Sequence, residues 1–227
     1  MSDELPEFQE SDDESRRRTV VLLAVLIEGG LIGASSLLGW MVDQPPLRFF
    51  EWTPSGALWG IAATLPLLGL FFLLMRWPIG PFKRIRLFSE EVVRPLFAPC
   101  SRFDLFGVSV LAGLGEELMF RGVLQSAFAG WFGLTVGIVA ASLLFGLLHS
   151  ITFTYMLLAT LMGVYLSGVW LIADRNLLAV IVTHALYDFV VLWWLMHGPG
   201  AAAALEALRT RQEAEKSEES KPSEPET

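Results

Sequence analysis

Apolar residues are concentrated in six stretches of about 20, separated by short polar or proline-containing segments. The stretches lie at about 20–42, 56–76, 104–129, 132–150, 153–173 and 177–197. A helix of about 20 apolar residues is long enough to cross the hydrocarbon core of a bilayer. The pattern therefore predicts an all-α, polytopic helical membrane bundle of about six transmembrane helices, with the lipid bilayer as its surroundings.

The segment 77–102 has a different pattern, in which four prolines and several lysines and arginines alternate with apolar residues. Such a pattern is typical of an amphipathic piece that lies on a membrane face. The Glu90-Glu91 pair falls in this basic stretch, where solvation of a carboxylate costs little. We therefore assign no chemistry to that pair.

Acidic residues are concentrated at the two ends of the chain, although the formal net charge is −8 overall. Residues 1–15 hold seven acids, and 206–227 hold seven more against four basic residues. We expect an acidic, disordered tail at 1–19, a transmembrane domain at 20–199 with its catalytic core at about 104–197, and a charged tail at 200–227. No basic stripe interleaved with aromatics is present, so nucleic acid is not expected as a partner.

The distribution of lysine and arginine predicts the orientation. With the amino terminus in the cytoplasm, 13 of the 16 basic residues fall on the inside, two on the outside and one within a span. The positive-inside rule then predicts that both termini are cytoplasmic, in the inner membrane if the protein is bacterial. The single cysteine, Cys100, excludes an internal disulfide and a pair of thiolate metal ligands.

The first span carries one charged residue, Glu28, followed by Gly29 and Gly33. Two glycines four residues apart form a small-residue face that lets another helix approach closely. Packing is the expected role of the glycines and of Glu28.

Three charged residues interrupt the third span, in the sequence Gly-Leu-Gly-Glu-Glu-Leu-Met-Phe-Arg-Gly at 113–122. Glu116, Glu117 and Arg121 together cost roughly 8–10 kcal/mol near the centre of a membrane helix, whereas the apolar residues of the span return only roughly 5–6 kcal/mol. The charges therefore need partners inside the bundle.

The partners expected for these charges are two of the three histidines. His149 ends Phe-Gly-Leu-Leu-His at 145–149, and His184 begins His-Ala-Leu-Tyr-Asp at 184–188. Residues four apart share a helix face, which pairs Glu117 with Arg121 and His184 with Asp188. Carboxylates, imidazoles and an arginine that converge between helices can activate a water molecule.

Purely structural roles for these residues also stay open at this point. Glu117 and Arg121 can form a purely structural ion pair, and Asp188 can simply fix the tautomer of a histidine. Straight, upright helices would not bring Glu116, His149 and His184 to one depth, so tilted or broken helices are required. The third histidine, His197, ends the last span and is expected at the interface.

The three motifs resemble those of the CAAX-protease and bacteriocin-processing family of intramembrane proteases, which includes type II CAAX prenyl endopeptidases. The family pattern is Glu-Glu-x-x-x-Arg, Phe-x-x-x-His and His-x-x-x-Asn or a variant, and here it covers roughly 105–195. The resemblance implies an intramembrane endopeptidase that acts on a peptide or membrane-protein substrate. It implies that Glu116 is the general base, assisted by His149, and that Glu117 and Arg121 organise the base. His184 and Asp188 would stabilise the tetrahedral intermediate or complete a metal site.

The resemblance leaves two mechanisms open. One uses a divalent metal, with zinc the first expectation, held by Glu116, His149, His184 and Asp188; the other uses no metal. Prenyl endopeptidases have Asn at the position of Asp188, and an ionised Asp cannot donate a hydrogen bond to an oxyanion, which favours a different peptide substrate. Two other functions are also compatible with the pattern: a non-catalytic relative that acts as a bacteriocin-immunity factor or membrane scaffold, and a proton- or cation-coupled transporter. The sequence makes no prediction of the oligomeric state.

Overall fold

The computed structural model describes residues 5–199, 201, 206 and 210, with side chains described from Asp13 onward. All regular elements in these residues are helices. They are α1 (Leu5–Met41), α2 (Pro54–Arg76), α3 (Phe82–Phe88), a first π-helical segment (Ser89–Val93), α4 (Arg94–Phe97), α5 (Arg102–Glu117), a second π-helical segment (Leu118–Gln125), α6 (Ser126–Phe132), α7 (Leu134–Leu148), α8 (Phe153–Ile172) and α9 (Leu177–His197). The predicted all-α fold class is confirmed.

Within the part of the chain that the structure describes, four helices are long and apolar enough to cross a membrane: residues Asp13–Met41 of α1, and α2, α8 and α9. By length and composition, these helices are those of an integral membrane protein. The predicted span at 104–129 lies in a helical run from α5 to α6 that has no gap. This run contains the charged residues and changes to π-helical geometry in its middle part. The predicted span at 132–150 corresponds to α7, which has only 15 residues. The count of six spans therefore stays a prediction.

The first helix begins within the segment 1–19, which we predicted to be a disordered tail. Helix α1 starts at Leu5 and continues into the first span without a break. Two features support a helix here: Arg18 donates to Glu14 one turn earlier, and Arg17 reaches another helix. Amino-acid composition cannot predict the contact of Arg17 with α5, because its partner Asp104 is distant in the sequence. Of the predicted tail at 200–227, all but residues 201, 206 and 210 lie outside the described residues.

Glycines allow the close approach of the helices that carry the candidate site. A Cβ on Gly113 of α5 would lie 2.9 Å from the backbone nitrogen of Ala185 in α9, and one on Gly60 of α2 would lie 2.7 Å from the carbonyl oxygen of Ala179 in α9. A Cβ on Gly146 of α7 would lie 2.7 Å from the carbonyl oxygen of Met156 in α8. Any larger side chain at these positions would push the helices apart.

The contact between α1 and α5 also uses a glycine, but a different one from those predicted. A Cβ on Gly29 or Gly33 would have no described atom within 4 Å, so the predicted packing face on α1 is not used in the described residues. The close approach is made by Gly115 of α5, where a Cβ would lie 2.8 Å from the carbonyl oxygen of Glu28. The sequence pattern on α1 could not reveal it, because the small residue belongs to the partner helix.

An ion pair fixes α1 against the start of α5. Arg17 donates to both carboxylate oxygens of Asp104, over 2.6 and 3.0 Å. The same carboxylate closes a capping box with Ser101, which starts α5. Eleven residues, about three helical turns, separate Arg17 from Glu28 on α1 and Asp104 from Gly115 on α5. The two contacts therefore lie on the same faces of two parallel helices, and the ion pair sets their register.

The predicted amphipathic segment 77–102 is helical over α3, the first π-helical segment and α4. Lys83, Arg84 and Arg86 are exposed, whereas Arg94 is buried and donates from Nε to the carbonyl oxygen of Leu195 in α9. The segment is thus attached to the carboxyl-terminal end of α9 through one buried arginine. Its position on a membrane face stays a prediction.

Candidate active site

A buried ion pair lies where α5 passes into the second π-helical segment. Glu117 is the last residue of α5, and Arg121 lies four residues on. The guanidinium Nη1 donates to Glu117 Oε1 over 2.9 Å, and the two side chains are 0% and 1% exposed. Arg121 Nη2 donates to the carbonyl oxygen of Gly163 in α8 over 2.9 Å. The ion pair therefore links three helical elements as well as neutralising charge.

Glu117 also holds His184 of α9. Its Oε1 lies 2.7 Å from Nδ1 of His184. A carboxylate that already accepts from a guanidinium remains an acceptor, so the imidazole Nδ1–H is the donor. This bond fixes the ring and turns Nε2 towards Glu116 and Asp188. A carboxylate that orients a histidine in this way is common behind reactive imidazoles.

Glu116 lies between the two histidines. Its Oε1 is 3.9 Å from Nε2 of His149, and its Oε2 is 3.8 Å from Nε2 of His184. Asp188 Oδ2 lies 3.5 Å from the same His184 Nε2. These separations are too long for strong direct hydrogen bonds, and they leave room for one water molecule to contact several of the groups.

His149 is held by its own helix. Its Nδ1 lies 2.7 Å from the carbonyl oxygen of Phe145, which can only accept, so Nδ1–H is the donor. The imidazole stacks on the Phe145 ring with the centroids 4.5 Å apart. In the neutral ring Nε2 is then an acceptor, and it faces Glu116. Phe145 therefore packs and orients the histidine.

Helix ends bring the three motifs to one depth, as the sequence analysis required. Helix α7 ends at Leu148, and His149 is its C-cap residue with a non-helical backbone. Glu116 lies near the end of α5, next to the π-helical segment. His184 lies two turns into α9. π-Helical turns are frequent at functional sites, because they change which side chains share a face.

A cavity of about 380 Å³ opens beside the cluster, and its walls are mainly apolar. Its volume lies within the usual range for small-molecule and peptide side-chain pockets. The polar residues Glu116, His149, His184 and Asp188 lie on its wall, together with Tyr155 and Tyr187. The remaining wall comes from α2, α7, α8 and one residue of α3. The cluster thus faces an apolar cavity within the bundle.

The donor groups do not fit a closed metal site in the described part of the chain. No group of three or more His, Cys, Asp or Glu side chains there is arranged to hold a metal ion. Ligands of a tetrahedral zinc, each about 2.0–2.1 Å from the metal, lie about 3.4 Å from one another. The separations of 3.8 and 3.9 Å around Glu116 exceed that value, whereas the 3.5 Å between His184 Nε2 and Asp188 Oδ2 is close to it. The metal set expected from the resemblance would therefore need the side chains to contract.

Several residues that sequence reasoning missed surround the cluster. Tyr155 and Tyr187 line the cavity, and the ring of Tyr155 lies 6.2 Å from that of His149. Ser167 donates to Gln125 over 2.7 Å in a fully buried pair behind Arg121. Glu28 lies on the α1 side of the cluster, and its isolated charge in an apolar span was the available signal. The other residues have no such signal, since uncharged polar residues are common in spans.

The six predicted site residues meet in one place: Glu116, Glu117, Arg121, His149, His184 and Asp188. His197 lies outside the cluster, is exposed, and stacks on Trp193 with ring centroids 4.2 Å apart. The Glu90-Glu91 pair is also separate from the cluster: Glu90 is partly buried and paired to Arg86, and Glu91 is exposed. The roles of the six residues stay predictions.

Comparison with known proteins gives one match. Residues 99–190 match the family model described as type II CAAX prenyl endopeptidase Rce1-like. No curated protein and no solved structure matches the chain. The matched range begins just before α5 and ends within α9, so it contains all six residues of the cluster. Residues 99–190 are thus a domain of the type II CAAX prenyl endopeptidase Rce1-like family, a family of proteases.

Proposed function

We propose that this protein is an intramembrane endopeptidase that hydrolyses a peptide bond with a water molecule activated by Glu116. One observation carries the proposal: the Glu116 carboxylate lies between the Nε2 atoms of two histidines, on the wall of an apolar cavity. The substrate is a peptide or a membrane-associated protein whose apolar part occupies that cavity.

The reaction begins with a water molecule between Glu116 and His149. His149 Nε2, an acceptor in the neutral ring, orients the water through one hydrogen bond, and the Glu116 carboxylate removes its proton. The hydroxide adds to the carbonyl carbon of the scissile bond and produces a tetrahedral oxyanion. As the carbon–nitrogen bond breaks, Glu116 returns the proton to the leaving amine. The products are a carboxylic acid and an amine.

His184 stabilises the oxyanion in this scheme. When both of its ring nitrogens carry protons, Nδ1–H donates to Glu117 and Nε2–H donates to the oxyanion. The carboxylates of Glu117 and Asp188 attract the positive charge of that ring. This gives the aspartate a role that needs no hydrogen bond from Asp188 to the oxyanion. Arg121 fixes Glu117, so its contribution is to position the histidine.

The scheme takes no step through a metal, because the donor separations around Glu116 do not fit a closed zinc site. We place both termini in the cytoplasm, on the positive-inside count. Water then reaches the cluster from the cytoplasmic side, where α7 ends at the half-buried His149.

Substrate capture tests the proposal. The Glu116→Gln variant, purified from its native membrane after photo-cross-linking, should retain a peptide or protein that the wild-type chain cuts. Glu91→Gln is the matched control, because Glu91 is an exposed acid of the adjacent cytoplasmic segment. It should cleave the captured substrate at the wild-type rate. Cleavage by Glu116→Gln at that same rate would refute the mechanism, and binding of a partner that neither protein cuts would favour a scaffold.

A further inference from the structure

Helix α1 brings a fourth carboxylate to the candidate site, from outside the range that matches the protease family. Glu28 is half-buried, and its backbone carbonyl packs against Gly115, the residue before Glu116. A Cβ on Gly115 would lie 3.4 Å from Glu28 Oε2. The absence of a side chain at Gly115 therefore lets the Glu28 backbone pack against α5, and this contact holds the Glu28 carboxylate beside the residue that precedes the proposed general base.

Glu28 packs beside the residue that precedes Glu116, but it is not on the wall of the apolar cavity. The cavity wall includes residues of α2, α3, α5, α7, α8 and α9, but no described residue of α1. Glu28 is nevertheless close enough to Glu116, His149, His184 and Asp188 for Coulombic interaction with each. The reacting groups are thus bordered by an apolar chamber and by a further carboxylate that is not part of the chamber wall.

Acidic groups exceed basic groups around the reacting atoms. Four carboxylates (Glu28, Glu116, Glu117 and Asp188) accompany one guanidinium and two imidazoles in the described residues. When all four carboxylates are ionised, the cluster carries a net negative charge even with both imidazoles protonated. In addition, Oε2 of Glu28, Glu116 and Glu117 is buried without a hydrogen-bond partner among the described residues.

Unpaired carboxylate oxygens in a poorly solvated site are costly unless a donor or a cation reaches them. Arg121 is already committed to Glu117 and Gly163. Among the described residues no cation is paired with Glu28, so a cationic group of the substrate can satisfy it. A free carboxylate terminus at this place would be repelled, whereas an ammonium or guanidinium would be attracted.

We infer that Glu28 is a specificity-determining residue that selects a lysine or arginine on one side of the scissile bond, with the apolar residues of the substrate on the other side. This inference rests on the proposed endopeptidase function, and it names the substrate class of that site. The preferred substrate is an apolar segment followed by a basic residue, cut at the junction, rather than a peptide whose free carboxyl terminus enters the site.

Peptide cleavage in proteoliposomes tests the inference. The probes are synthetic peptides with a leucine-alanine stretch next to a variable segment, in which one position holds lysine, norleucine or glutamate. Each peptide is made in two versions, with the variable segment before or after the leucine-alanine stretch. Wild-type protein should cut the lysine peptides with a kcat/KM at least about tenfold above the norleucine peptides, as expected for a hydrogen bond to a charged group. Glu28→Gln should abolish that preference. Glu28→Lys should reverse it towards glutamate. Gly29→Ala, next in sequence and with open space around it, should keep the wild-type preference.

The outcomes separate the two claims. Equal cleavage of lysine and norleucine peptides by the wild type, or a lysine preference that persists in both Glu28 variants, overturns the role of Glu28 while Glu116-dependent cleavage still supports the endopeptidase. Cleavage that is unaffected by Glu116→Gln overturns the proposed function, and the inference about Glu28 with it. A thermal unfolding midpoint measured for each variant shows that the protein compared is folded.

Discussion

Replacing Arg121 by methionine should destabilise the protein strongly, and removing its partner charge at the same time should restore much of the loss. The Arg121 and Glu117 side chains are 1% and 0% exposed, and Arg121 Nη2 also donates to the carbonyl oxygen of Gly163. Arg121→Met leaves the Glu117 charge in the interior with only His184 beside it. Breaking a buried pair from one side typically costs about 3–5 kcal/mol of the free energy of unfolding.

The double variant Glu117→Gln with Arg121→Met removes both charges. The glutamine side-chain oxygen can still accept from His184 Nδ1–H, so neither member of the pair leaves an unpaired charge and one hydrogen bond is kept. Replacing a buried pair as a whole is often close to neutral. We therefore expect the double variant to be more stable than Arg121→Met alone by about 2 kcal/mol or more.

The assay is reversible unfolding in mixed micelles by titration with sodium dodecyl sulfate, followed by tryptophan fluorescence. Cleavage of the captured substrate is measured on the same samples. The double variant should fold but cut slowly, since His184 has lost the charged partner that orients it. If the double variant were less stable than Arg121→Met, Glu117 would not be the charge that Arg121 compensates, and the reasoning would fail.

Three further predictions follow from the described geometry. Burial raises the pKa of Cys100 to about 11, so about one thiol in ten thousand is ionised at pH 7. Maleimide labelling of the folded protein should therefore be slow, and rapid labelling would contradict the burial of this thiol. Gly146→Ala, whose Cβ would clash with Thr160 Oγ1 and lie 2.7 Å from the carbonyl oxygen of Met156, should cost about 1–3 kcal/mol of stability and slow cleavage, whereas Gly130→Ala, with open space around it, should do neither. Chelation with EDTA should leave Glu116-dependent cleavage unchanged. If EDTA abolished cleavage and zinc restored it, the reaction would use a metal ion.

The sequence was sufficient to predict the helices and the meeting of the three motifs. The apolar stretches and the cost of isolated charges in a membrane are both local, so they can be read without a structure. Glu117 with Arg121 and His184 with Asp188 are four residues apart on single helices, and these pairings need only helical geometry. The contact of Glu117 with His184 joins residues 67 apart, and the sequence indicated only that some such partner must exist.

The sequence was insufficient where a contact depends on a small residue of another helix or on a change of helical type. Gly29 and Gly33 had the pattern of a packing face, yet the close contact is made by Gly115. Nothing in the residues 118–125 distinguishes a π-helix from an α-helix by hydrophobic pattern, although this segment places Arg121. We assigned Glu28 to packing because its neighbours in the structure belong to distant parts of the chain.

The central claim is that Glu116 activates the water that cleaves the substrate, and a single-turnover cleavage rate tests it most directly. Wild-type and Glu116→Gln proteins, purified and reconstituted in proteoliposomes with matched thermal unfolding midpoints, are each saturated with the captured substrate. Loss of a general base predicts a rate at least about a hundredfold lower for Glu116→Gln, with substrate affinity retained. An unchanged rate in the folded variant would contradict the account.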